Sequence, residues 1–216
     1  MVRILISTVS EIAKTTDFES TCNQLKIPFL GEDSYEFEEK KFTSLIGYLM
    51  LQRLLLESPI ARNILHTIYR EPWGKWKLQA PIDFNISHAG DKVVAVLCDK
   101  GIIGVDIEPV RAIEWQVYKD SFTTLEWLQI TTATDPTVMF FHLWTKKESL
   151  LKAYGFGLQI PLHNVVVEEE RGYIKKQDQV MPGYFHALQV PGYAGYICTE
   201  AKEENILIEH FVLNGA

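Results

Sequence analysis

The segment IIGVDIE at residues 102–108 constrains the fold more tightly than any other part of the chain. Gly101 and Pro109 bound it, and its apolar residues recur with a period of two, so it reads as a strand with Ile103, Val105 and Ile107 on one face. Asp106 and Glu108 then share the opposite face. Neighbouring carboxylates repel each other, so such a face is either a solvated surface or the cradle of a hard divalent cation that takes oxygen ligands.

The remaining elements follow from periodicity and punctuation. A strand is expected over 1–9, and a long helix over 35–57, where Leu45, Leu49, Leu51, Leu54 and Leu55 fall at helical spacing. Pro59 interrupts it before a shorter helix around 60–68, and REPWGKWKL at 70–78 reads as a turn or loop. Strands at 83–87 and 92–98 are joined by a tight connection through Ala89-Gly90-Asp91. The stretch after Pro109 is irregular and rich in aromatics. A helix from about Thr137 to Ala153 ends at Gly155 and Gly157, and strands follow near 163–169, 183–190, 193–199 and 205–213. This order predicts an α+β fold built as two similar halves that meet near residue 109.

Composition removes several functional classes. The 216 residues carry 28 acidic and 21 basic side chains, a formal net charge of −7, which argues against a generic nucleic-acid binder. An anionic ligand must therefore find a local basic patch. No apolar run approaches the roughly 20 residues of a membrane helix, and ILIS is too short for a signal-peptide core, so the expectation is a soluble cytoplasmic protein. Cys22, Cys98 and Cys198 are widely spaced with no CxxC, suggesting reduced thiols and neither a disulfide framework nor a zinc site. GFGLQI fails the dinucleotide fingerprint at Ile160, and neither GxxxxGK[ST] nor GxSxG occurs.

Three further segments can carry chemistry. On the helix FFHLWTKKESLLKAYG, Phe141, Trp144, Glu148, Leu151 and Lys152 share one side, which places a carboxylate in an apolar stripe. Glu148 either pairs with Lys152 one turn on, or joins Asp106 and Glu108 in a three-carboxylate metal cluster that leaves Lys152 for a phosphate oxygen. In NISHAGD, Ser87 and His88 offer a hydroxyl and an imidazole at a strand end. In REPWGKWKL, Arg70 and Lys75 flank a glycine turn beside Trp73 and Trp76, either a phosphate-plus-stacking site or an exposed loop.

Taken together, REPWGKW at 70–76, FNISHAGD at 84–91, GVDIE at 104–108, FTTLEW at 122–127 and WTKKESLLKAYGFGL at 144–158 resemble the larger, two-half (Sfp-type) class of 4'-phosphopantetheinyl transferases, which includes the aminoadipate-semialdehyde-type members. The W-x-x-K-E-x-x-x-K signature of that family is met at Trp144, Lys147, Glu148 and Lys152. The resemblance implies two α/β half-domains packed as a pseudo-dimer, 1–108 and 109–216, with the active site in the cleft between them.

The same resemblance implies transfer of the phosphopantetheine arm of coenzyme A to a serine of an apo acyl or peptidyl carrier protein, with release of 3',5'-ADP. Asp106, Glu108 and Glu148 would hold Mg²⁺, with Mn²⁺ an alternative. Lys152 would contact the pyrophosphate, and Arg70, Ser87 and His88 the 3'-phosphate and neighbouring oxygens. Gly74 and Lys75 would border the adenine, Lys40, Lys41 and Ser44 would add phosphate contacts, and Glu126 would act as general base. A monomer is expected, because two halves in one chain build the cleft without a partner subunit. Trp115, Val117, Tyr118 and Phe122, interleaved with Arg111 and Lys119, either dock the carrier or belong to the core. The other readings open to these residues are a metal-dependent nucleotide phosphodiesterase and an inactive module that binds coenzyme A or the carrier.

Overall fold

The computed structural model describes residues 1–14, 21, 38–58 and 64–213. In chain order the elements are β1 (Val2–Thr8), α1 (Val9–Ala13), α2 (Glu38–Glu57), β2 (Tyr69–Arg70), β3 (Trp76–Lys77), β4 (Asp83–Ala89), β5 (Lys92–Cys98) and β6 (Ile103–Pro109). There follow α3 (Thr124–Thr132), α4 (Pro136–Tyr154), β7 (Val165–Val167), β8 (Arg171–Lys176), β9 (Gln179–Ala187), β10 (Tyr193–Thr199) and β11 (Ile206–His210). The fold is α+β, with sheets ordered β11-β1-β5-β4 and β6-β10-β9-β8-β7 and a small β2-β3 ribbon.

The two large sheets pack face to face between two helices. Strand β5 explains the layering: its sequence KVVAVLC has no polar alternation because both faces are covered. Val93, Ala95 and Leu97 meet Ile46, Met50, Leu51 and Leu54 of α2, while Val94, Val96 and Cys98 meet the second sheet. Ile103, Val105 and Ile107 of β6 join Val2, Ile4 and Ile197 in that inter-sheet core, each side chain contributing about 1.5–3 kcal/mol by burial. The opposite face of β6 lies under α4. Gly104 makes that contact possible, since a Cβ there would drive into the backbone of Ser149 and Ala153.

Helix α4 begins where Asp135 accepts from the Val138 N–H at 3.1 Å with Pro136 in the first turn. It ends at Gly155, whose φ of 74° supports the closing bonds Gly155 N–H to Lys152 O and Phe156 N–H to Leu151 O. The hairpin of β4 and β5 turns between Ala89 and Lys92, as the sequence predicts.

Several boundaries differ from expectation. Strand β6, which spans 108/109, pairs with β10 in the second sheet, and β11 pairs in parallel with β1 in the first. Hydrogen-bond partners, which local sequence does not name, decide this. Around 60–68, a 3₁₀ turn at Leu65–Thr67 stands where a helix was expected, and 60–63, like Cys22, lie outside the described residues. Helix α3 and strand β8 were not anticipated. Helix α3 announces itself by a capping box, Thr123-x-x-Glu126, in which each residue's side chain bonds the other's backbone.

If the close approach at Gly104 sets the seat of α4, Gly104→Ala should lower stability by roughly 1–3 kcal/mol, read as a lower urea midpoint. An unchanged midpoint would show that the helix can lift off β6 without loss.

Candidate active site

A cavity of about 430 Å³ opens where the ribbon, β4, α2 and the end of α4 converge. Its wall includes Arg70, Trp73, Gly74, Lys75 and Trp76 from the ribbon, Asn85 and His88 from β4, Thr43 and Ser44 from α2, and Lys152, Gly155 and Gly157 from the end of α4 and the turn after it. Six residues expected in the site thus share one cavity: Ser44, Arg70, Gly74, Lys75, His88 and Lys152. The side chains of Lys40 and Lys41 lie outside the described residues. The Nε of Arg70 donates to Gly74 O at 3.2 Å and its guanidinium sits 5.6 Å from the Trp76 ring, so arginine and ribbon brace each other.

Strands β4 and β6 belong to different sheets, and side chains take the place of a backbone ladder between them. Asp83 Oδ2 accepts from the Ile103 N–H and Asn85 Oδ1 from the Val105 N–H, both at 2.9 Å. Two residues further along β4, Ser87 Oγ donates to Asp106 Oδ1 at 3.1 Å. Lys152 Nζ donates to the same Asp106 oxygen at 2.6 Å and to Ser87 Oγ at 3.0 Å. Lys152 is therefore paired across to β6 rather than with Glu148 on its own helix, as the simpler sequence reading had it.

The three carboxylates are coupled electrostatically. Burial pushes the Glu148 carboxyl above the usual range, and the Asp106 charge pushes it further while Lys152 pulls it back. Glu108 is raised in the same way, by burial first and Asp106 second. Among the described residues no three His, Cys, Asp or Glu side chains are grouped so that they could together hold a metal ion. Asp106 Oδ2, however, is buried with no hydrogen-bond partner. An orphaned carboxylate oxygen beside two half-buried glutamates is a donor set that fits Mg²⁺, which is commonly held by one or two carboxylates together with substrate phosphates.

Two expected roles change. Glu126, expected as general base, is turned into the protein: it is 2% exposed, Oε2 accepts from Thr123 N–H at 2.7 Å and Lys147 Nζ at 2.8 Å, and Oε1 accepts from Val167 N–H at 2.9 Å. A carboxylate fully engaged with a cap, a strand and a buried cation is not placed to take a proton from a substrate. Its capping-box spacing was the signal that could have revealed this. Lys75 borders the cavity as expected, but its ammonium points away from it. Nζ donates to Asp83 Oδ2 at 2.5 Å, Ala153 O at 2.7 Å and Ile103 O at 2.9 Å. Burial pulls this ammonium down to about 8, with Asp83 acting against the shift. Asp83 and Asn85 were overlooked, although the polar alternation Asp83, Asn85, Ser87 along a strand was visible in the sequence.

The aromatic stretch after β6 divides between the two readings offered for it. Phe122 is buried and Trp115 packs 5.4 Å from Trp127, while Val117 and Tyr118 are 71% and 42% exposed. Leu125 and Leu128 on α3 are exposed as well.

Residues 102–199 match the family model of the 4'-phosphopantetheinyl transferase superfamily. The chain is 34% identical over 121 residues to 4'-phosphopantetheinyl transferase Sfp of Bacillus subtilis, covering 53% of this chain and 54% of that protein. It is 29% identical over 162 residues to 4'-phosphopantetheinyl transferase gsp of Aneurinibacillus migulanus, covering 73% and 67%. Over 195 residues it is 28% identical to 4'-phosphopantetheinyl transferase psf-1 of Bacillus pumilus, covering 82% and 81%. The chain is thus similar to 4'-phosphopantetheinyl transferases, by the family model over residues 102–199 and by these relatives over 121 to 195 residues. The family match begins just before β6 and ends with β10, so it contains Asp106, Glu108, Glu148 and Lys152, whereas Arg70 and Ser87 lie upstream of it.

Because Glu126 and Lys147 form a buried pair, Glu126→Ala should cost about 3–5 kcal/mol of stability by stranding the Lys147 charge. The double variant Glu126→Leu with Lys147→Met should recover part of that loss. Equal urea midpoints for wild type and Glu126→Ala would remove the pair from the account of the fold.

Proposed function

We propose that this chain transfers the 4'-phosphopantetheine arm of coenzyme A to a serine of an apo acyl or peptidyl carrier protein and releases 3',5'-ADP, with Mg²⁺ as cofactor. The observation that carries the reading is the cluster in which Lys152, lining the cavity, bonds Ser87 and Asp106 while a second Asp106 oxygen stays buried without a partner. Mg²⁺ would be held by Asp106 with Glu108 and Glu148, and supplies neutralisation of the charge that develops on the leaving phosphate.

The chain's own residues divide the remaining work. Arg70, His88 and Ser44 line the cavity and would bind the phosphate oxygens of coenzyme A, with Gly74 letting the ribbon backbone approach the adenine. The carrier serine Oγ attacks the β-phosphorus, the bond from that phosphorus to the oxygen bridging it to the α-phosphate breaks, and 3',5'-ADP departs. With Glu126 engaged elsewhere and Glu148 assigned to Mg²⁺, the serine proton passes to solvent water. Lys152 presents preorganised positive charge to the leaving oxygens.

We read the two sheets, each with a long helix on its outer face, as two α/β half-domains packed as a pseudo-dimer with the cleft between them, acting as a monomer in the cytoplasm. The carrier would dock on the exposed patch of Val117, Tyr118, Leu125 and Leu128, near Arg111 and Lys119. Tyr118 packs 5.4 Å from Trp144, one helical turn before Glu148, which links the patch to the cluster.

The test is incubation of the purified protein with coenzyme A, Mg²⁺ and an apo carrier protein, followed by intact-mass analysis of the carrier. A gain of one phosphopantetheine arm is expected, abolished by EDTA and in Asp106→Ala, with Lys152→Ala slowed on the order of 10²–10³-fold. Release of 3',5'-ADP without carrier would mark a phosphodiesterase instead, and coenzyme A binding without transfer to any carrier would mark a binding module.

A further inference from the structure

The β8–β9 hairpin reaches from the second sheet to the wall of the cavity. Its strands join through Gln177 and Asp178, with Gln177 at a left-handed φ of 54°. The tight turn leaves Lys176 as the last paired residue of β8, opposite Gln179. From there the Lys176 ammonium lies 4.4 Å from the ring centre of Phe156 and 5.2 Å from that of Trp73. The two rings meet at 5.9 Å with planes tilted by 45°, and Tyr154 stacks on Phe156 with planes 9° apart. Lys176 makes no ion pair among the described residues, and its contacts are these aromatic faces.

Trp73 lines the cavity yet is 55% exposed, so its orientation is not fixed by burial. It comes from the ribbon, whereas Phe156 and Lys176 come from the turn after α4 and from the second sheet. We infer that Lys176 is a positioning residue whose cation clamps the Trp73 indole against Phe156, fixing the flat cavity wall on which the purine of coenzyme A rests. This inference depends on the transferase reading for its ligand but not for the clamp itself. A cation over an exposed ring shifts an equilibrium about two- to fivefold, and that is the effect on ligand affinity it can have.

The experiment measures coenzyme A affinity by calorimetry for wild type, Lys176→Met, Lys176→Arg, Trp73→Leu and the double variant Lys176→Met with Trp73→Leu. Lys176→Met should weaken binding about two- to fivefold, and Lys176→Arg should restore it because guanidinium also rests on aromatic faces. In the Trp73→Leu background, Lys176→Met should have no further effect, since a residue acting through Trp73 cannot act in its absence. The same loss in both backgrounds would mean that Lys176 attracts the ligand directly as a charge, and no loss in either would mean that it does nothing for binding. Both outcomes overturn the clamp. Acrylamide quenching of the Trp73 emission, taken as the difference from each protein's Trp73→Phe counterpart, should rise in Lys176→Met whether or not coenzyme A binds. If wild type binds no coenzyme A, the transferase reading fails and the quenching alone decides the clamp; unchanged quenching overturns it.

Discussion

The ion pair between Lys75 and Asp83 holds together four pieces of chain that no backbone ladder joins. Lys75 comes from the ribbon, Asp83 opens β4, Ile103 opens β6 and Ala153 closes α4, and the Lys75 ammonium bonds the last three. Side-chain exposures of 2% and 3% mean that both charges are desolvated, a condition tolerable only when the remaining hydrogen-bonding capacity is filled. Asp83 meets that condition, because it also accepts from Lys77 Nζ at 2.9 Å and from the Ile103 N–H. The pair therefore sets where the ribbon stands relative to the end of α4, and so the width of the cavity between them.

The rest of the site hangs from that seam. Moving along β4 from Asp83, every second side chain reaches across to β6: first to one backbone N–H, then to the next, and finally, at Ser87, to Asp106 itself. Structural bonds at one end of the strand thus lead into the Ser87, Asp106 and Lys152 cluster at the other. Because Asp106 is held by Ser87 and Lys152 through one oxygen alone, its second oxygen stays oriented and unsatisfied. Under the proposed function, that oxygen is the one left for a cation.

Helix α4 shows how one element serves fold and chemistry together. Lys146, Lys147 and Lys152 cannot share a face at 100° per residue. Lys146 reaches the carbonyls of Glu168 and Glu169, Lys147 is sealed beside Glu126, and Lys152 faces the cluster. Burial lowers the first two, leaving them as internal ties. Gly104 lets the helix lie close enough on β6 for Lys152 to reach Asp106, so the glycine of GVDIE matters to the site as much as its carboxylates do.

The local pattern determined the strand IIGVDIE and its two faces, the long helices and the β4–β5 hairpin, because periodicity and turn chemistry are properties of a few adjacent residues. The motif residues Arg70, Ser87, His88, Asp106, Glu108, Glu148 and Lys152 could be named for the same reason. What each charged side chain does was decided in three dimensions. Glu126 and Lys75 looked like site groups and became internal partners, since a buried charge must find its counter-charge wherever the fold brings one within reach. The sheets that β6 and β11 join were decided by ladder partners far away in sequence: β11 pairs with β1. Residue types and short spacings thus came from the sequence, whereas pairing, direction and burial came from contacts between distant segments, which only tertiary structure creates.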